Sequence, residues 1–68
     1  MSMKNNIKIE RARYNLTQGD LAEKIGVSRQ SINAIEKGKY VPSTLLAIKI
    51  AKLFKLPVEE LFFLEEGE

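Results

Sequence analysis

A single residue separates two helix-boundary signals near the middle of the chain, and this spacing restricts the fold more than any other feature. Gly26 follows an apolar stripe at helical spacing and is the residue type that most readily ends a helix. Ser28 is a typical N-cap for the next helix. Because only Val27 lies between them, the two helices must turn sharply and cannot lie antiparallel as in a hairpin.

The remaining apolar residues recur every three or four positions, which predicts an all-α fold of five helices. Thr17 is the expected N-cap of the second helix, with Asp20 as the acid of a capping box. The first helix is expected over about residues 5–14, the third over 29–37, the fourth after Ser43, and the fifth from Pro57 through Phe62. The fourth is apolar on more than one face and should be the most buried. Residues 1–68 are treated as one domain, with residues 1–4 disordered and 64–68 an acidic tail.

Several chemistries are excluded because the 68-residue chain contains no Cys and no His. It can form no disulfide, no thiolate zinc site and no imidazole-based catalytic site. It also lacks a glycine-rich phosphate loop, and its carboxylates are scattered. We therefore expect a binding protein, not an enzyme, with no cofactor and no metal. Its apolar runs are too short to span a bilayer and no signal peptide is evident, so a cytoplasmic location is expected.

The charges are divided unequally along the chain. Residues 1–57 contain eleven basic and four acidic side chains, a net charge of +7, whereas residues 58–68 contain five acids and no base, a net charge of −5. A basic body of this kind favours a polyanionic partner. A solvated surface followed by a solubilising acidic tail is the alternative explanation.

A resemblance to the Cro/phage-repressor type helix-turn-helix family, often called Xre-like, is carried by Gln18-x-x-Leu21-Ala22-x-x-x-Gly26-Val27-Ser28-Arg29-Gln30-x-Ile32-x-x-Ile35-Glu36-x-Gly38. The match extends through Pro42-Ser43 and the run from Leu56 to Phe62, and it covers roughly residues 5–63. The resemblance implies a compact five-helix lambda-repressor-like DNA-binding domain, with the helix-turn-helix at the second and third helices. It also implies a sequence-specific regulator of transcription, most simply a repressor that binds double-stranded DNA.

The third helix, about residues 28–37, is the expected recognition helix, because Ile32 and Ile35 define an inward face and leave polar side chains outside. The candidates for reading bases are Ser28, Arg29, Gln30, Asn33 and Ala34. The candidates for binding phosphate are Gln18, Lys37, Lys39 and Tyr40. The resemblance further implies that Gln18 braces Gln30, and that Arg11 and Glu36 form a structural ion pair. The alternatives are a plain helix-start role for Gln18, solvated lysines, and packing of Tyr40 over the fourth helix.

Apolar and aromatic side chains are concentrated near the C-terminus, where a small core cannot be expected to bury both Phe62 and Phe63. The expected dimer interface consists of Leu61, Phe62, Phe63 and Leu64. A two-fold dimer would bind a palindromic operator. Phe63 and Leu64 folding back onto their own core is the alternative. A second functional hypothesis is the antitoxin of a toxin–antitoxin pair, whose apolar C-terminal end binds the toxin.

Overall fold

The computed structural model of the protein describes residues 3–65, which form five helices and two short strands. In chain order these elements are β1 (Met3–Asn5), α1 (Ile7–Arg13), α2 (Gln18–Ile25), α3 (Arg29–Glu36), α4 (Thr44–Phe54), α5 (Val58–Leu61) and β2 (Phe62–Leu64). The longest helix, α4, has 11 residues, and within this range no helix is long and apolar enough to cross a membrane.

Local signals fix the boundaries of the two central helices. The Thr17 hydroxyl accepts from the backbone N–H of Asp20 at 2.9 Å, and the Asp20 carboxylate accepts from the backbone N–H of Thr17 at 3.0 Å. This reciprocal capping box opens α2, and Gly26 closes it in the left-handed conformation with φ of 87°. Ser28 then caps α3 by accepting from the Ser31 N–H at 3.1 Å. The helix-turn-helix expected from the spacing is confirmed.

One hydrophobic cluster holds the helices together. Its buried members are Ile7, Leu21, Ala22, Ile25, Ile32, Ile35, Ile50, Ala51, Phe54, Leu61 and Phe62. The expectation that α4 is the most buried helix is wrong, because Leu45 is 66% exposed and Ile48 is 40% exposed. A chain this short packs its other elements against only one side of α4, so the outer apolar residues of that helix remain uncovered.

The two strands correct the all-α expectation. β1 and β2 pair antiparallel, with Met3 opposite Leu64, Lys4 opposite Phe63 and Asn5 opposite Phe62. Phe62 therefore begins a strand and does not end the fifth helix, and Leu64 ends that strand and does not start a tail. Aromatic side chains favour extended backbone, and a three-residue strand is too short to give a periodic signal.

Residues 3 and 4 were expected to be disordered but belong to β1. Residues 1 and 2, for which disorder is also expected, and residues 66–68 of the expected acidic tail lie outside the described residues.

Strand β1 also holds the C-terminal end of α3. The Asn5 side-chain amide donates to the Ile35 carbonyl at 2.8 Å, and the Asn6 N–H donates to the Leu61 carbonyl at 3.0 Å. Gly38 follows α3 with φ of 74°, and a Cβ at this position would lie 3.4 Å from the Met3 carbonyl oxygen. The N-terminal segment therefore packs closely against the end of α3 and restricts its position.

Candidate nucleic-acid interface

The third helix presents two chemically different faces. Ile32 and Ile35 are 0% and 1% exposed and pack in the core. Because an α-helix advances about 100° per residue, a second set of side chains lies on the opposite side. This outer face of α3 consists of Gln30, Asn33, Ala34 and, at the C-cap, Lys37. Two amides, a methyl group and a cation on one helical face can all contact base edges or the sugar-phosphate backbone in a major groove.

The start of α3 lies against the start of α2. Ser28 is exposed, and its hydroxyl lies 3.0 Å from the hydroxyl of Ser31 in addition to capping the helix. Arg29 is exposed, but its Cδ lies only 3.9 Å from the point that a Cβ at Gly19 would occupy. Its aliphatic stem therefore passes beside the first turn of α2. Sequence reasoning missed that Arg29 lies next to Gly19, where an added Cβ would make only an ordinary van der Waals contact with the Arg29 side chain.

Arg11 and Glu36 form a bidentate ion pair between α1 and α3. The Arg11 Nε donates to Glu36 Oε2 at 2.6 Å, and a terminal guanidinium nitrogen donates to Oε1 at 3.2 Å. Arg11 also donates to the Leu16 carbonyl at 2.9 Å. The two side chains are only 14% and 8% exposed. This geometry uses most of the donors of Arg11 inside the protein and joins α1 to α3.

Gln18 does not brace Gln30, contrary to what the resemblance implied. Its Nε2 donates to Glu36 Oε1 at 3.0 Å and to Asn33 Oδ1 at 3.3 Å. Asn33 and Glu36 are three residues apart and lie on the side of α3 that faces the first turn of α2, whereas Gln30 points farther outward. Both side-chain N–H groups of Gln18 are engaged, and the remaining oxygen cannot donate to a phosphate. A phosphate contact at this position therefore falls to the backbone N–H at the helix start.

The remaining phosphate candidates follow α3. Lys37 and Lys39 are both exposed, and the backbone N–H of Lys39 donates to the Ala34 carbonyl at 3.0 Å, which continues the chain closely from the helix end. Tyr40 is 46% exposed and lines a shallow depression with Leu45 and Leu46 at the start of α4. Tyr40 therefore lies near the start of the fourth helix while keeping almost half of its surface accessible.

Asp20 places a fixed negative charge at the start of α2. Its pKa is lowered chiefly by the hydrogen bond from the Thr17 backbone N–H, and further by the Thr17 hydroxyl and by Lys24. A carboxylate at a helix N-terminus also complements the helix dipole. Within residues 3–65, no three acidic side chains lie close enough together to share a metal ion.

The four residues expected at a dimer interface differ in how much of their surface is exposed. Leu61 and Phe62 are 0% and 4% exposed, so both pack in the core of the monomer. Leu61 therefore has no surface left for an interface, and Phe62 can contribute only where it lines a groove beside α4. Phe63 and Leu64 are 37% and 49% exposed. Since directly opposed residues share a face of an antiparallel pair, Leu64 lies on the face of Met3, and Phe63 on the face of Lys4.

Met3 also lines an apolar groove of about 430 Å³ beside α4. The lining of this apolar groove carries no charged side chain and consists of Met3, Val41, Pro42, Thr44, Ala47, Ile48, Val58 and Phe62. Val41 and Ile48 are 49% and 40% exposed, and Leu64 adjoins the groove through its pairing with Met3. Together they form a continuous apolar surface on one side of the domain.

Comparisons with known proteins agree with this geometry. The Helix-turn-helix family model matches residues 7–61. The HTH-type transcriptional regulator MJ0272 of Methanocaldococcus jannaschii is 61% identical over 66 residues, which cover 97% of this chain and 100% of that protein. The phage transcriptional repressor RstR of Vibrio cholerae is 31% identical over 61 residues, 90% of this chain and 54% of RstR. A crystal structure of a protein from Bacteroides fragilis described as DNA-binding superimposes with a TM-score of 0.78 at 31% identity, covering 90% of this chain and 98% of that one.

Proposed function

Because the chain belongs to the Xre-like helix-turn-helix family of DNA-binding transcriptional regulators, we propose that it is a sequence-specific repressor that places the outer face of α3 in the DNA major groove. The observation that carries this proposal is the division of α3 into a buried isoleucine face and an exposed polar face. A recognition helix needs both, since one face must anchor it to the domain while the other meets the base edges.

The proposed contacts follow from exposure and donor chemistry. Gln30 is exposed on the outer face and can bind adenine bidentately, and Ala34 beside it can meet a thymine methyl group. The Ser28 hydroxyl stays exposed at the cap and can donate to either a base edge or a phosphate. Arg29 is exposed beside the first turn of α2 and can bind either a base edge or a phosphate. Lys37, Lys39 and Tyr40 are the proposed phosphate ligands, which position the domain without reading sequence.

Selection of bound sequences from random DNA tests this proposal. The wild-type protein should enrich a defined consensus, and Gln30→Ala should weaken binding by about 1–3 kcal/mol and relax the preference at one base position. Glu23→Ala is the control, because Glu23 is exposed on α2 and does not belong to the proposed contact set. Failure of the wild-type protein to enrich any sequence would overturn the proposal. Equal loss of affinity for consensus and random DNA in Gln30→Ala would remove its base-reading role.

We further propose that the protein binds a palindromic operator as a homodimer, with the apolar groove and Leu64 as the contact surface. A small domain has a limited core of its own, and dimerisation would bury additional apolar area. The lining of this groove is uncharged, so a contact there would bury no unpaired charge, and the cores of protein interfaces are depleted in charged residues. An isologous contact would also relate two recognition helices by the two-fold axis that a palindrome requires.

Sedimentation at micromolar concentration distinguishes the dimer from a monomer. Ile48→Asp places a charge in the groove and should convert a 15 kDa species, about twice the 7.7 kDa chain, into the monomer. Ile9→Asp is the matched control, because Ile9 is an isoleucine on α1 that is 55% exposed and does not line the groove. A wild-type protein that sediments as a monomer would contradict the dimer. The antitoxin hypothesis, in which the apolar C-terminal end binds a toxin, would then remain, and a toxin gene adjacent to the gene of this protein would support it.

A further inference from the structure

The hydrogen bonds that connect α1, α2 and α3 form a chain in which Arg11 and Gln18 both donate to Glu36, and Gln18 also donates to Asn33 on the outer face of α3. Arg11 carries only donors and faces Glu36, which as a carboxylate offers only acceptors. The Gln18 side chain reaches the same carboxylate at 3.0 Å, so the end of its amide that meets Glu36 must be the NH2 group. The ion pair therefore fixes which way the Gln18 amide points.

The orientation of Gln18 then fixes that of Asn33. The Gln18 NH2 group lies 3.3 Å from the Asn33 side chain, and a donor at this distance requires the Asn33 oxygen to face it. The Asn33 NH2 group consequently lies at the other end of the planar amide and is directed away from α2. Asn33 is part of the outer face of α3, so this NH2 group is the end of the side chain that remains for a base.

A free asparagine reads adenine by donating to N7 and accepting from N6–H, which requires its oxygen as well as its NH2 group. The amide oxygen has two lone pairs, but the bond from Gln18 holds it toward α2, so the NH2 group is the end that Asn33 presents outward. Guanine presents two acceptors in the major groove, N7 and O6, whereas adenine presents one acceptor and one donor. At adenine the NH2 group finds only N7 as an acceptor, because the neighbouring N6 amino group is itself a donor and cannot bond to it.

We propose that the Arg11–Glu36–Gln18 chain of hydrogen bonds locks Asn33 with its NH2 group outward, so that Asn33 selects guanine over adenine at one position of each half-site. This inference rests on the proposed function, since it assigns a base to a residue of the proposed recognition surface. Asn33 is then the specificity-determining residue and Gln18 a positioning residue that sets its polarity.

Selection from random DNA by four proteins tests the assignment. The wild-type protein should prefer guanine to adenine by about fivefold or more at one position of each half-site, the low end of discrimination by a base contact. Asn33→Ala should lose the preference at that position alone. Gln18→Ala frees the Asn33 amide to rotate, so adenine should approach guanine in frequency at the same position. Glu23→Ala, an exposed change on the same helix as Gln18, should reproduce the wild-type preference.

A loss of stability alone cannot produce this pattern, because weaker folding lowers affinity for all sequences equally. Thermal melting of each variant in the absence of DNA confirms that the domain is folded at the selection temperature. The inference is overturned if adenine is preferred at the position that responds to Asn33→Ala, if no position responds, or if Gln18→Ala leaves the ratio of guanine to adenine unchanged. These outcomes leave the proposed function intact when a consensus is enriched, whereas the absence of any consensus removes both.

Discussion

Arg11 and Arg13 lie on the same helix and each faces a glutamate, yet replacing them by alanine should affect folding stability very differently. Arg11 contacts Glu36 at 2.6 and 3.2 Å, and these side chains are 14% and 8% exposed. Without Arg11, the nearly buried Glu36 carboxylate would lose its positively charged partner and keep the neutral amide of Gln18 as a hydrogen-bond donor. Removing one partner of a buried ion pair typically costs about 3–5 kcal/mol, so Arg11→Ala should lower the free energy of unfolding by that amount.

Arg13 provides the matched comparison. Its Nε lies 3.7 Å from Glu10 Oε2, which is too far for a hydrogen bond. Although the Glu10 side chain is 9% exposed, that of Arg13 is 70% exposed, so solvent screens the pair. Exposed ion pairs contribute about 1 kcal/mol at most, and Arg13→Ala should therefore lower the free energy of unfolding by less than that. Urea denaturation followed by far-UV circular dichroism measures both changes. A domain of this length is stable by about 3–10 kcal/mol, so Arg11→Ala is expected to unfold at low urea or to be largely unfolded without it.

The double variant Arg11→Met with Glu36→Leu keeps this reasoning testable if Arg11→Ala is unfolded. Removing both charges leaves no unpaired carboxylate, and apolar replacement of a buried ion pair is often neutral, so most of the stability should return. Equal and small losses for Arg11→Ala and Arg13→Ala would refute the argument, because they would mean that burial of the first pair has no energetic consequence.

Three other changes have defined outcomes. Folding lowers the pKa of the Asp20 carboxyl, so its contribution to stability is complete at pH values above its ordinary pKa of 3.8. That contribution disappears as the pH falls through the lower pKa of the folded state. Urea midpoints measured from pH 6 to pH 2 should show this loss for the wild type and less of it for Asp20→Asn. Gly26→Ala should lower the free energy of unfolding by about 1–2 kcal/mol, because φ is 87° and the added Cβ meets nothing within 4 Å, so thermal melting measures backbone strain alone. Lys39→Ala should weaken binding to operator and random DNA equally and lower the slope of log affinity against log salt by about one, and a loss confined to the operator would contradict a phosphate contact.

Features fixed by near neighbours in the chain could be predicted from the sequence. The Thr17 capping box and the Ser28 cap each join residues three positions apart, and Gly26 ends α2 through its own backbone conformation. Pairing of β1 with β2 was not predictable in the same way, because it joins residues about sixty positions apart through strands of three residues. Nothing in the local pattern near Phe62 distinguishes a last helical turn from a short strand.

The hydrogen-bond partner of Gln18 on α3 could not be predicted from the sequence either. Sequence similarity placed Gln18 at the start of α2 and polar side chains along α3, and the structure has them there. Which residue of α3 meets Gln18 depends on how far α3 is rotated about its own axis against α2, and packing of Ile32 and Ile35 in the core sets that rotation. Asn33 takes the place expected for Gln30 because the rotation turns Asn33 toward α2. Rotation of a packed helix is a property of the whole core, and no single motif encodes it.

The Arg11–Glu36 pair consequently has two separable effects. Buried ion pairs contribute little net stability compared with apolar residues of similar size, so stability alone does not require this one. Its replacement by Met and Leu would keep the helices packed but remove the acceptor that orients Gln18, and Asn33 would then be free to turn its oxygen outward. The double variant should therefore fold nearly as well as the wild type while accepting adenine where the wild type selects guanine. A variant that regains stability yet retains the guanine preference would show that Asn33 is oriented by something other than this ion pair.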